Sequence, residues 1–202
     1  RQLAVQQSIA RVHRHPGSPS AMTAFAALLR GVNVGKAKRV PMAEFQALLG
    51  GLGYDRVSTL LNSGNAIFHA AKGPPATHAG KIARALSAKF GFDVPVVVKS
   101  LQELQAIVRE NSLAGSAPDH ARLVTVFAQE AKTLEGLAPL AGLLGPSEQF
   151  LIGKHAAYLH CPDGILASRV GEALMGKAGN AVTTRNWATV LKLCSRAAGA
   201  AP

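Results

Sequence analysis

The sequence predicts an α+β protein built from two tandem βαββαβ units, each followed by an extra helix. Three observations carry this reading. Apolar runs of strand length alternate with stretches of helical periodicity. The same order of elements occurs in both halves. Breaks rich in Gly, Pro and Asn fall between the elements, and residues 114–120, with Gly115, Pro118 and Asp119, form a natural linker between residues 22–112 and residues 113–198.

In the first half, residues 23–29 (TAFAALL) are a short apolar run and read as a buried strand. Pro41 suits the first position of a helix. Residues 42–49 place Met42, Phe45, Leu48 and Leu49 on one helical face, ahead of Gly50, Gly51 and Gly53. Residues 56–61 and 66–70 read as paired strands around the turn Asn62-Ser63-Gly64-Asn65. Residues 77–90 show helical spacing and end at Gly91, a C-cap residue. Residues 92–99 read as a strand whose internal Pro95 implies an edge or a bulge. Ser100 and Glu103 form a capping box for a helix over 101–110.

The second half repeats the pattern. Strands are expected at 122–128, 149–153, 156–161 and 181–184. Helices are expected at 131–144, interrupted near Pro139, at 165–175, and at 185–196, the last capped by Thr184. Trp187, the one tryptophan, reads as a core anchor of that helix. Little residue identity links the halves, so the repeat is one of pattern. A βαββαβ order with short, right-handed connections points to a pair of ferredoxin-like domains, or α/β-plaits, with antiparallel strand order 4-1-3-2. In that order, the loop at 30–39 and the turn at 62–65 share one end of the first sheet.

Composition narrows the classes. About half of the chain, 48%, is hydrophobic and only 5% is aromatic, so the core must be mainly aliphatic. The formal net charge is +11. It divides as +3 in residues 1–21, +6 in 22–112 (eleven Lys/Arg, five acids) and +2 in 113–202 (eight, six). A basic first half could attract an anionic small molecule or nucleic acid, or serve only solubility. Residues 1–21 have no continuous apolar segment and end in His15-Pro16-Gly17-Ser18-Pro19-Ser20, so they read as a disordered leader or expression remnant. No apolar stretch reaches membrane-spanning length, so no membrane partner is expected. Cys161 and Cys194 sit in no CxxC or Cys/His motif and read as thiols in a reducing cytoplasm.

The clearest candidate site is residues 30–39, Arg-Gly-Val-Asn-Val-Gly-Lys-Ala-Lys-Arg, between a strand and a helix. Backbone N–H groups of such a loop, with Arg30, Asn33, Gly35, Lys36, Lys38 and Arg39, suit an anion. The spacing fits neither a Walker A loop nor G-x-G-x-x-G, so a solvated basic loop is the alternative. Ser63 and Asn65 could add donors and acceptors, or satisfy their own turn. Arg185 and Asn186 could face a groove between the halves. No catalytic constellation is evident: the histidines lack metal spacing, the acids form no close pair, and no cofactor motif occurs. Ligand binding at the basic loop is therefore the leading expectation. A small-molecule enzyme with an interdomain cleft and a protein–protein adaptor are the alternatives.

The runs Leu28-Leu29-Arg30-Gly31-Val32-Asn33-Val34-Gly35, Val40-Pro41-Met42 and Ser63-Gly64-Asn65 resemble a bacterial family, domain of unknown function 1697. So do Phe90-Gly91-Phe92-Asp93-Val94-Pro95-Val96, Tyr158-Leu159-His160 with Pro162-Asp163-Gly164, and Thr184-Arg185-Asn186-Trp187 with Thr189-Val190 and Lys192-Leu193. The resemblance spans about residues 22–196. It implies two ferredoxin-like domains and no activity. Asn62, Lys36-Ala37 and Ala188 depart from the family pattern, where Gln, a second Gly and Asn are common.

Overall fold

A computed structural model describes residues 22–35, 38–71 and 73–199. Residues 1–21, read above as a leader, and Lys36 lie outside them. The chain runs β1 (Thr23–Leu29), α1 (Met42–Gly51), β2 (Asp55–Leu60), β3 (Asn65–Ala70), α2 (Pro75–Phe90), β4 (Val96–Ser100) and α3 (Leu101–Glu110). It continues through β5 (Leu123–Ala128), α4 (Ala131–Glu135), β6 (Gln149–Ile152), β7 (Ala157–His160), α5 (Arg169–Met175), β8 (Val182–Asn186) and α6 (Trp187–Ala197). The result is an α+β architecture with two four-stranded antiparallel sheets, ordered β2-β3-β1-β4 and β6-β7-β5-β8.

Three apolar cores account for the predominantly apolar runs at β1 and β5. In β1, Phe25, Ala27 and Leu29 enter an outer core beneath α1 and α2, while Ala24, Ala26 and Leu28 face a central core. A strand covered on both faces favours apolar residues at nearly every position, and buried Thr125 of β5 is an exception. In β5, Val124 and Val126 face a second outer core with α4 and α5, while Leu123 and Phe127 face the central one. Helices α3 and α6 fill that central layer through Leu104, Ile107, Trp187, Val190 and Leu193. Trp187 is 3% exposed, as a core anchor should be.

Local chemistry explains where the sequence expectation shifts. Ser100 and Glu103 form the expected capping box of α3. Pro95 lies just before β4 rather than inside it, and β4 is an edge strand. The expected helix at 131–144 stops after Glu135 and resumes as a 3-10 turn over Ala138–Leu143, where Pro139 has no N–H to donate. Helix α5 starts four residues later than expected, at Arg169, because the Ser168 side chain accepts from the Gly171 N–H. Thr184 does not cap the last helix. It lies within β8, and Asn186 is the cap, its Oδ1 accepting from the Thr189 N–H at 3.0 Å.

One polar group inside the first outer core sets a pH dependence. His78 on α2 packs against Phe25, Tyr54 and Phe68, with Nδ1 3.0 Å from the Tyr54 hydroxyl. Its Nε2 is buried with no partner among the described residues. Burial, then the nearby Lys81 charge, holds its pKa below the ordinary value. His69 is lowered too, by burial and Arg56, with Asp55 opposing. The fold therefore favours the neutral form of both relative to the unfolded chain, which gains protons below about pH 6.5. More protons on the unfolded side make stability fall as the solution is acidified. Thermal melts from about pH 8 to about pH 5 should show Tm falling, and His78→Gln with His69→Gln should flatten that fall. Equal slopes in both proteins would remove the histidines as its cause.

Candidate functional site

The β1–α1 loop has an unusual backbone. Gly31, Asn33 and Gly35 have φ of 64°, 59° and 62°, while the intervening Val32 and Val34 do not share the left-handed region. Left-handed residues at alternating positions are one ingredient of an anion nest, in which successive N–H groups face one side. Glycine adopts it freely, and asparagine is among the few side-chain-bearing residues that tolerate it. Val32 is buried at the loop's base, while Gly31, Val34 and Gly35 are exposed.

Asn33 fixes the loop's shape. Its Nδ2 donates to the Val40 carbonyl at 2.9 Å and the Asn62 carbonyl at 2.7 Å, and its Oδ1 accepts from the Val40 N–H at 2.9 Å. Its own N–H donates to the Lys38 carbonyl at 3.2 Å. These bonds close the loop on itself and tie it to the β2–β3 hairpin tip. The co-location inferred from strand order is therefore a direct contact. Lys38, also left-handed at φ 50°, donates through Nζ to the Asp93 carbonyl at 3.1 Å. Arg39 is exposed and makes no side-chain hydrogen bond or ion pair among the described residues. Helix α1 begins beside it without a side-chain cap.

The hairpin tip offers exposed Asn62 and Ser63. Asn65, by contrast, is fully buried. Its Nδ2 donates to the Leu60 carbonyl and Ser63 Oγ at 3.0 and 2.9 Å, and its Oδ1 accepts from Arg185 Nε at 2.5 Å. Arg185 enters from β8 and donates through Nη2 to the Leu29 and Ser63 carbonyls at 2.8 and 2.9 Å. Its Nη1 donates to Thr183 Oγ1 and the Thr184 carbonyl. Burial lowers its pKa to about 10, still fully cationic at neutral pH.

Arg30 reaches the other way. Its guanidinium donates to the carbonyls of Leu174, Met175, Gly176, Gly179 and Val182, around the C-terminal end of α5. Cations are favoured there because unpaired carbonyls gather at a helix end. Of the anticipated residues, Gly35, Arg39 and Ser63 are thus open to solvent, Asn33 shapes the loop, and Arg30, Asn65 and Arg185 are engaged between the halves. Asn186 caps α6. Sequence reasoning missed Thr183, whose Oγ1 donates to the Leu29 carbonyl at 3.3 Å across the halves; a threonine in a strand carries no mark of such a partner. No cluster of three or more His, Cys, Asp or Glu suited to a metal occurs among the described residues. Burial pushes the Cys161 thiol up to about 11, away from nucleophilic use at neutral pH.

Fold and site together define an α+β protein with two four-stranded antiparallel sheets and a stapled polar loop at one sheet end. The chain belongs to the family described as protein of unknown function DUF1697, whose model matches residues 22–158. It is also similar to a solved structure, that of the conserved bacterial protein SP0830 from Streptococcus pneumoniae. The two share 26% identity, with 88% of this chain and 99% of that one covered and a TM-score of 0.68. No curated protein matches the chain. Among the described residues, no helix is long and apolar enough to cross a membrane.

Proposed function

We propose that this protein binds a phosphate-bearing or otherwise anionic ligand in the β1–α1 loop, against the β2–β3 hairpin tip. The observation that carries the reading is the alternation of left-handed residues at Gly31, Asn33 and Gly35 in a loop stapled by the Asn33 side chain. A loop already held in shape by its own hydrogen bonds binds without a large ordering cost. Lys38 and Arg39 flank it with positive charge, and the wider first half is basic. An enzyme cleft between the sheets has less support, because α3, α6 and the central core occupy that layer. The strand orders and the βαββαβ succession favour two ferredoxin-like units. The free cysteines fit a reducing bacterial cytoplasm.

Titration with inorganic phosphate, and with 5′-phosphorylated and unphosphorylated single-stranded oligonucleotides, tests the reading. Phosphate should shift the amide resonances of residues 31–35. Lys38→Ala with Arg39→Ala should weaken binding about tenfold, or about 1.4 kcal/mol. If nucleic acid is the source of the phosphate, the same pair of substitutions should lower the slope of log K against log salt by about 1.4. Free phosphate bound with no oligonucleotide affinity would point to a small metabolite. No response to any of these probes would remove the reading.

A further inference from the structure

We infer that the second half of the chain is part of this site, with Arg185 as the positioning residue that holds the hairpin tip against the start of the β1–α1 loop. The inference rests on the anion-binding reading and goes beyond it, because the loop and the tip both belong to the first half. Two separate segments of that half meet on one guanidinium. The Leu29 carbonyl, immediately before the loop, and the Ser63 carbonyl, in the tip, both accept from Arg185 Nη2. Asn65, at the start of β3, accepts from Nε. The tip in turn receives Asn33 through the Asn62 carbonyl. Moving Arg185 therefore moves both the residue that leads into the loop and the hairpin tip.

The charge has a use beyond fastening. Arg185 is 9% exposed and is surrounded by carbonyls, a hydroxyl and an amide, with no carboxylate in contact among the described residues. Arg30, attached to the first residue of the loop, likewise has only carbonyl partners. Holding a buried cation without an anion is costly, and neutral side chains could tie the same carbonyls together. A fixed positive charge beneath an anion site gives that cost a function, since a charge already held in place acts on a bound anion with no cost of ordering it. Lys38 adds to this field. Asp93, whose backbone carbonyl holds Lys38 and whose carboxylate accepts from Ser87, is the acid nearest the loop by contact. A dianionic phosphate group suits this balance better than a neutral ligand.

The test uses the full chain, 15N-labelled, with inorganic phosphate as the probe and the amides of Gly31, Asn33 and Gly35 as reporters. Arg185→Ala should weaken phosphate about tenfold, measured well below its own Tm. Millimolar guanidinium ion should restore affinity to that variant and leave the wild type unchanged, a rescue that a general loss of stability would not show. Thr183→Val, which keeps the charge and removes one link to Leu29, is the milder second variant and should weaken binding by a smaller factor. Should Arg185→Ala fail to fold, unchanged affinity in Thr183→Val despite faster amide exchange at residues 63–65 would overturn the inference. A folded Arg185→Ala that binds phosphate as the wild type does would also overturn it, while leaving the anion-binding reading standing. Absence of phosphate binding by the wild type would instead remove the reading on which the inference rests.

Discussion

Gly64→Ala is expected to cost roughly 3 kcal/mol or more, a fall in Tm of about 6–12 °C for a chain of this size. Two effects add. Gly64 has φ 76°, where a side chain strains the backbone. An added Cβ would also lie 2.6 Å from Leu29 Cβ and 2.8 Å from Val32 Cγ2, far inside van der Waals contact. Both neighbours are buried and pinned: the Leu29 N–H donates to the Gly64 carbonyl at 2.8 Å, and Leu29 and Val32 are 1% and 3% exposed. Neither can step aside cheaply in a close-packed core. Gly35→Ala separates the two effects, because its φ is 62° but nothing among the described residues lies within 4 Å of the added Cβ. It should cost only about 1–2 kcal/mol. Thermal melts of the two variants provide the comparison, and equal losses would remove the packing explanation. Gly64→Ala should also loosen the Asn33–Asn62 contact and with it the anion site.

Much of the fold was legible because its determinants are local. Strand β1 and helix α3 begin and end where their patterns say, since an apolar run ending at Arg30-Gly31 and a Ser100/Glu103 capping box act over a few residues. Boundaries drifted where two local signals competed. Thr184 and Asn186 are both good caps. The strand pairing of Thr184 with Val126 decides between them, and that pairing lies nearly sixty residues away. Ile165 looks like a helix start because it is apolar and packs on the core, yet it does so from a turn. The candidate site was legible as a place, through Gly31, Asn33, Gly35 and the Asn62–Asn65 turn. The work of Arg30 and Arg185 was not. Most of their partners are backbone carbonyls more than a hundred residues distant, and a carbonyl acceptor leaves no trace in residue type. Lys38 and Arg39, by contrast, are as exposed as their chemistry implies.

Residues 22–112 produced alone are expected to lack a cooperative thermal transition, although they contain a complete four-stranded sheet. The inner face of that sheet, with Ala26, Leu28, Ile67 and Val97, joins α3 in a core whose remaining members come from the second half. Trp187, Val190 and Leu193 of α6 are 3%, 0% and 0% exposed, and α6 packs on β1 and β3 as well as on β5 and β8. Each such side chain contributes roughly 1.5–3 kcal/mol of burial, so losing three approaches the whole net stability of a typical domain, about 5–15 kcal/mol. The fragment would also lose Arg185 and Thr183, leaving the Leu29 and Ser63 carbonyls without those donors. It should therefore bind a hydrophobic dye and melt without a sharp midpoint. Mixing it with residues 113–199 should restore a cooperative melt and blue-shift the emission of Trp187, which would leave water only when both sheets flank α6. A sharp melt from residues 22–112 alone would mean that the first outer core, with Phe25, Phe45 and Phe68, is sufficient by itself. The boundary near residue 113 would then divide two folding units, where the shared central core makes the expected unit the whole of residues 22–199.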